Sequence, residues 1–175
     1  MSFISFLQQG GTIVYVLLIL NVIGVALILW RAMAIREFKK NIGDFYSASL
    51  EKFKKMKLNK EEQSSIVIVK DTIADEMNKL EIGLPTIKII ATISPLLGLL
   101  GTVWGILTSF RIISEAGLNN PALFAGGIST ALITTVAGLI VAIIHYIAYH
   151  YLTGAVDGLE LEVEKNIIPK LFGAQ

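Results

Sequence analysis

The sequence predicts an all-α integral membrane protein with three transmembrane helices and cytoplasmic helical extensions. Of its 175 residues, 54% are hydrophobic and the mean hydropathy is +0.67. Charged residues make up 17%, below the quarter that is typical of soluble domains. A chain this apolar has more hydrophobic surface than one small soluble core can bury. The charges are also clustered, which leaves long uncharged stretches.

Three of these stretches are long enough to cross a bilayer, which takes about 20 mostly apolar residues in a helix. They lie on either side of residues 31–83, which hold eleven Lys or Arg and nine Asp or Glu. The predicted order is an external N-terminus (1–11), a first span (12–30), a cytoplasmic helical segment (31–86), a second span (87–112), an external loop (113–121), a third span (122–149) and a cytoplasmic C-terminal helix (150–175).

The charges flanking the first span predict that the N-terminus lies outside. No Lys or Arg precedes this span and Arg31 follows it, whereas a cleaved secretory signal begins with positive charge. We therefore expect a retained anchor. This orientation places fourteen of the fifteen Lys and Arg residues in the cytoplasm and leaves Arg111 outside, as the positive-inside rule requires.

Apolar residues recur at helical spacing in both cytoplasmic segments and predict amphipathic helices. The tripeptide Leu58-Asn59-Lys60 is expected to form a hairpin tip between two of these helices. Such stripes are typical of packing between helices. The clearest members are Val69, Ile73 and Met77 in the first segment, and Val156, Leu159, Val163, Ile167 and Leu171 in the second.

Spans two and three carry a stripe of small and hydroxylated residues. The stripe either packs the helices together or lines a shared cavity. Thr134 and Thr135 are adjacent, so their hydroxyls are expected to point in different directions and at most one to face a given groove. Pro95 is expected to kink span two. The stripe comprises Ser94, Gly98, Gly101, Thr102, Gly105 and Ser109 in span two, and Gly127, Thr130, Thr134, Thr135 and Gly138 in span three.

Several function classes find no support in the sequence. The chain has no cysteine and a net charge of +1, which argues against thiol chemistry and nucleic-acid binding. It has no enzyme motif, and we expect no cofactor or metal site. Residues 82–114 and 116–156 contain no Asp or Glu, so a partner must supply the carboxylate if ions are conducted. His145 is interpreted as a buried, hydrogen-bonded residue and His150 as an interfacial one.

Two long motifs resemble the signatures of the MotA/TolQ/ExbB ion-channel family. Residues 94–105 (SPLLGLLGTVWG) are similar to its span-two motif, and residues 127–139 (GISTALITTVAGL) to its span-three motif. The start of the chain and its short cytoplasmic loop are most similar to ExbB and TolQ. This resemblance implies a homopentamer in the bacterial inner membrane, around a dimer of a single-span ExbD- or TolR-like partner whose membrane Asp carries the ion. It also implies a TonB- or TolA-like protein that passes the motion to the outer membrane.

The resemblance also implies residue roles. Thr102 and Thr135 match threonines that line the ion path, with Thr134 and Thr130 beside them. Many relatives carry Glu where Thr130 stands, which leaves sodium open as an alternative to the proton. A flagellar-stator-like subunit and a non-conducting membrane scaffold are the other hypotheses. The residues expected to pack around the pore are Gly98, Gly101, Gly105, Gly127, Gly138 and Pro95.

Overall fold

The computed structural model describes residues 10–57, 62–117 and 121–172, and all regular structure within them is α-helix. The three longest helices are long and apolar enough to cross a membrane. The predicted all-α, three-span, multi-pass membrane fold is thus confirmed. The expected hairpin tip at Leu58-Asn59-Lys60 lies outside the described residues, as does most of the predicted external N-terminus. The helices are α1 (Gly11–Lys40), α2 (Ile42–Lys57), α3 (Glu62–Glu81), α4 (Leu84–Ala116) and α5 (Pro121–Phe172).

Glycine and proline mark the helix boundaries. Gly83 separates α3 from α4 with a φ of 90°, and Gly117 ends α4 with a φ of 75°. Both lie in the left-handed region, which glycine enters without steric cost. The Gly117 amide donates to Ile113 O at 2.8 Å and so satisfies a carbonyl of the last turn. Pro121 begins α5. The first N–H groups of a helix have no acceptor within the helix, so the missing N–H of proline costs no hydrogen bond at this position.

The helices extend past the predicted span ends. α1 continues ten residues beyond position 30, α4 covers the first four residues of the predicted 113–121 loop, and α5 runs for 52 residues without a break. Charge marks where a chain leaves the lipid, whereas a helix ends only where its hydrogen-bond ladder stops. Pro95 lies inside α4 and does not end it.

The apolar halves of α1, α4 and α5 form one compact unit, made of residues 10–28 and 86–149 among those described. Large apolar side chains also cover its outer surface, as expected for faces turned toward lipid. Leu99 is 57% exposed and Leu132 is 61% exposed. The buried cluster at its centre is Val14, Leu17, Ile90, Ile133, Ala137 and Val141.

The second compact unit contains residues 29–57, 62–85 and 150–172. Its predicted apolar stripes are confirmed as core except at Leu171, whose side chain lies outside the described part of the chain. Val69, Ile73 and Met77 of α3 are buried, and so are Val156, Leu159, Val163 and Ile167 of α5. At the surface of this unit Lys70 Nζ lies 3.5 Å from Glu164 Oε1.

Arg31 caps a neighbouring helix within this second unit. Its side chain is buried, and Nη1 donates to Lys79 O at 3.1 Å. Lys79 lies in the last turn of α3, where carbonyls lack helical donors. A cation at this end also complements the helix dipole. Arg31 therefore links the end of the first apolar stretch to α3.

Tyr46 of α2 is held by α5 in the same unit. The Asn166 side-chain amide donates to its hydroxyl at 3.3 Å. Partial burial raises the pKa of Tyr46 above its ordinary value, and the negative charge of Glu162 makes a smaller contribution in the same direction. The hydrogen bond from Asn166 opposes this change. The net effect favours the neutral phenol.

Candidate functional site

Glycines bring the backbones of α4 and α5 into direct contact. A Cβ at Gly98 would lie 2.9 Å from Thr134 O, and one at Gly105 would lie 2.7 Å from Gly127 O. A Cβ at Gly138 would lie 2.5 Å from Ser94 O. Membrane helices approach this closely where small residues remove the side chains between them. The two small-residue stripes therefore face each other.

Three threonine hydroxyls meet at this contact. Thr102 Oγ1 of α4 is in hydrogen-bond contact with Thr135 Oγ1 of α5. It also lies 3.1 Å from Gly98 O and 3.2 Å from Ala131 O. Thr134 Oγ1 donates to Ala131 O at 2.7 Å. Thr102, Thr134 and Thr135 thus form a hydroxyl cluster between the second and third spans.

One carbonyl is shared by all three side chains. Gly98 O lies 3.3 Å from the hydroxyls of both Thr134 and Thr135, in addition to Thr102. Both adjacent threonines reach this carbonyl, whereas of the two only Thr134 lines the neighbouring cavity. The expectation that at most one of them faces a given groove stays a prediction. Because Gly98 has no side chain, its carbonyl fits between the two positions on α5 and reaches both hydroxyls.

Thr130 lines a different surface of the same unit. Together with Gly101, Trp104 and Thr108, it borders a cavity of about 600 Å³ whose wall also includes Gly10. Positions 130 and 135 are five residues apart, so they lie on different sides of α5. The structure thus brings Thr102, Thr134 and Thr135 together and leaves Thr130 on the cavity side, where Thr134 is also a lining residue.

The hydroxyl cluster opens on an apolar surface. Thr102 and Thr135 are partly exposed, and Leu99, Leu132 and Leu139 are exposed beside them. The described residues of this unit contain one carboxylate, Glu115, which is exposed and pairs with Arg111 at 2.9 Å. In the described part of the chain no three His, Asp or Glu side chains form a group that could hold a metal ion.

The buried-histidine interpretation is confirmed for His145. Its ring has no exposed surface, and Nδ1 lies 2.7 Å from Val141 O. His150 is exposed. Sequence reasoning did not single out Gly24, which lies against the His145 ring. A single glycine in the middle of an otherwise bulky first span was the available signal.

A comparison with protein families identifies the chain. Residues 37–165 match the MotA/TolQ/ExbB proton channel family. The chain belongs to this family. The matched region includes the whole hydroxyl cluster and the glycine contacts around it. Membership also confirms the resemblance read from the motifs at residues 94–105 and 127–139.

Curated relatives carry the names ExbB and TolQ. A protein of Methanothermobacter thermautotrophicus, named as a biopolymer transport protein ExbB homolog, is 45% identical over 98 residues, which is 55% of this chain and 33% of the relative. The biopolymer transport protein ExbB of Neisseria gonorrhoeae is 36% identical over 87 residues, 50% of this chain and 40% of its own. The Tol-Pal system protein TolQ of Pseudomonas aeruginosa is 45% identical over 78 residues, 45% of this chain and 34% of its own. The matches therefore span 33–40% of the length of these relatives.

Proposed function

We propose that the chain is a subunit of an ExbB/TolQ-type motor in the bacterial inner membrane. The motor couples the proton gradient, with sodium as the alternative ion, to TonB- or TolA-dependent work at the outer membrane. The observation that carries the proposal is the Thr102–Thr135 hydroxyl contact between α4 and α5 in a chain of this family. The N-terminus lies outside and segments 31–86 and 150–175 lie in the cytoplasm.

Threonine hydroxyls can hold water or coordinate a cation, but they do not titrate near neutral pH. The titrating group therefore belongs to a partner. In this proposal five copies of the chain surround a dimer of a single-span ExbD- or TolR-like subunit, whose membrane Asp approaches Thr102 and Thr135. The exposed leucines beside the cluster, such as Leu99 and Leu132, supply the apolar surface that a transmembrane helix needs.

The energy for work comes from repeated ion transfer. A membrane potential supplies about 2.3 kcal/mol per charge per 100 mV. Unfolding a protein domain takes about 5–15 kcal/mol. Several ions must therefore pass for each mechanical step if the force transmitted outward is to rearrange another protein.

The test is an ion-flux assay in liposomes that contain the chain and its co-purified single-span partner. We expect Thr135→Val to reduce flux at least about tenfold while the complex still assembles, because the isosteric side chain removes the Thr102 contact. Thr92→Val is the matched control, since the exposed Thr92 hydroxyl donates within its own helix, to Lys88 O at 2.9 Å. Normal flux in Thr135→Val would contradict the assigned ion path.

Flux in the same liposomes and the phenotype of a gene deletion separate the alternatives. A non-conducting scaffold gives no flux with any partner. A stator-like subunit gives a motility defect, with uptake and envelope integrity unchanged, when its gene is deleted. Varying sodium at fixed pH and potential identifies the ion, because a sodium-coupled path loses flux when sodium is withdrawn.

A further inference from the structure

A cavity of about 600 Å³ borders the start of α1 and the contact between α4 and α5. Gly101 and Thr134 line it at a point where these two helices touch, since a Cβ at Gly101 would overlap the Thr134 side chain. α1 packs against α5 from Val14 onward, because Val14 and Ile133 belong to one buried cluster. Before Val14, residues 10–13 border open space instead. The cavity is therefore a groove over the α4–α5 contact that α1 does not fill.

One edge of the cavity lies on the apolar outer surface of this unit. Leu100 and Trp104 line the cavity and are 54% and 69% exposed. Thr108 is a third exposed lining residue on α4. The three residues follow at four-residue spacing, so they are neighbours along one side of the helix. The same row begins with the exposed Leu96, and the cavity is thus continuous with a surface of the kind that faces lipid.

This edge is separate from the open side of the hydroxyl cluster. Gly101 lies in the contact with α5, and Leu100 and Thr102 flank it by one residue each. One residue turns an α-helix by about 100°, so Leu100 and Thr102 point to opposite sides of that contact. The surface beside Thr102 that we assign to a partner helix is therefore not the surface on which the cavity opens.

The cavity wall favours an apolar occupant. The described lining residues carry no charge, and their polar side-chain groups are threonine hydroxyls and the Trp104 indole N–H. Thr108 Oγ1 donates to Trp104 O at 2.9 Å and Thr134 Oγ1 donates to Ala131 O at 2.7 Å. Both protons are thus used within their own helices. A bound water needs about two to four polar partners, whereas an apolar group is stabilised by leaving water.

The cavity lies at the depth of lipid acyl chains. Trp104 is eight residues before position 112, the predicted end of the second span, and Thr130 is eight residues after position 122, the predicted start of the third. At about 1.5 Å per residue, both are about 12 Å from the same membrane surface. Half of the hydrocarbon core is about 15 Å thick. The acyl chains of a single leaflet therefore reach the cavity.

We propose that this cavity binds one acyl chain of a phospholipid from the leaflet on the N-terminal side of α1. Its volume of about 600 Å³ is within the range of roughly 300–1,000 Å³ for ligand pockets. Because the described lining residues are uncharged, binding depends on the chain and not on the charge of the headgroup. The bound chain completes the packing between the start of α1 and the α4–α5 contact. The inference goes beyond the proposed function and does not rest on it.

The first test uses Trp104 as a reporter in the full-length protein. The chain has two tryptophans, so Trp30→Phe leaves Trp104 alone. We expect phosphatidylcholine with brominated acyl chains, added to the protein in a maltoside detergent, to quench Trp104 fluorescence and to saturate at about one lipid per chain. Quenching that rises only in proportion to the lipid content of the micelle would overturn the proposal. Brominated phosphatidylglycerol should give the same half-saturating concentration, and a tenfold lower one would assign the site to a headgroup instead.

The second test fills the cavity. We expect Thr130→Phe to raise the half-saturating lipid concentration at least about tenfold, because the larger side chain occupies the space. Ile128→Phe on the same helix is the matched control, since Ile128 is 44% exposed and is not among the described lining residues. If Thr130→Phe does not fold, Thr108→Phe at the exposed edge replaces it. Equal concentrations in the filled and control variants would refute this location of the site.

The third test distinguishes hydrocarbon from water in the cavity. The chain contains no cysteine, so Thr130→Cys introduces a single thiol into protein in lipid nanodiscs. We expect a charged methanethiosulfonate reagent to modify it at least about a hundredfold more slowly than Glu115→Cys, because a charged reagent does not enter hydrocarbon. The Glu115 side chain is 65% exposed and provides the aqueous reference. Equal rates would show that the cavity holds water and would contradict the proposal, whatever the result of the ion-flux assay.

Discussion

Replacing Gly138 by alanine is expected to force α4 and α5 apart. The new Cβ would lie 2.5 Å from Ser94 O and 3.1 Å from the Cα of Gly98. Both atoms belong to the backbone and cannot rotate away. An ordinary contact begins at about 3.4 Å, so the helices must separate by about 0.9 Å at this point. Overpacking of this kind costs roughly 1–3 kcal/mol.

Gly126→Ala provides the matched control on the same helix. A Cβ at Gly126 would meet nothing within 4 Å, so this variant keeps the roughly 1 kcal/mol gain in helix propensity of alanine over glycine. Gly138→Ala makes the same gain, and the difference in free energy of unfolding between the variants therefore isolates the steric term.

The assay is thermal unfolding of the purified proteins in one detergent, followed by circular dichroism. At about 2–4 °C per kcal/mol for a chain of this size, Gly138→Ala should melt about 2–12 °C below Gly126→Ala. Equal melting temperatures would refute the close backbone contact. Ion flux should also fall in Gly138→Ala, because Thr134 and Thr135 lie one turn away.

Three further predictions concern the second unit. Arg31→Met should keep the packing of the side chain but lose the hydrogen bond to Lys79 O, which should lower the free energy of unfolding by about 1–2 kcal/mol. Amide hydrogen exchange in the last turn of α3 should therefore become faster. Unchanged exchange rates there would exclude the capping role of Arg31. Tyr46 has a raised pKa, so its stabilising contribution is complete below pH 10 and is lost as pH rises through the raised value. In Tyr46→Phe the chemical-denaturation midpoint should fall less steeply as pH rises above 10. The same slope of midpoint against pH in both proteins would contradict this. Lys70→Ala should change the free energy of unfolding by less than about 1 kcal/mol, because Lys70 is exposed. A larger decrease, measured by chemical denaturation, would show that the ion pair with Glu164 contributes more than an exposed pair normally does.

The charge pattern was sufficient to predict three spans, because burying charge in lipid is costly enough to determine which stretches cross. It could not predict that α1 reaches Lys40 or that α5 runs from Pro121 to Phe172 as one helix. Helix continuation depends on tertiary packing as well as on lipid. Val156 and Val163 are buried, so beyond the third span the apolar face of α5 packs against protein instead of lipid.

The candidate site was predictable in residue type more than in geometry. Spacing placed Thr102 and Thr135 on the glycine-rich faces, and the structure brings their hydroxyls together. Residue spacing could not show that Thr134 and Thr135 share an acceptor, because that depends on how closely the Gly98 backbone approaches α5. Nor could it place Thr130 on the cavity side, since that requires knowing which side of α5 contacts α4.

The shared carbonyl of Gly98 leaves the hydroxyl cluster with more than one way to arrange its protons. Each hydroxyl has one proton to donate, and Thr102 alone has three acceptors within reach, Gly98 O, Ala131 O and Thr135 Oγ1. Turning a hydroxyl reverses a bond dipole without moving the backbone. The hydroxyl dipoles can therefore reorient toward a charge that approaches the cluster. This gives the cluster a higher local polarisability than rigid backbone carbonyls alone would provide within the apolar unit.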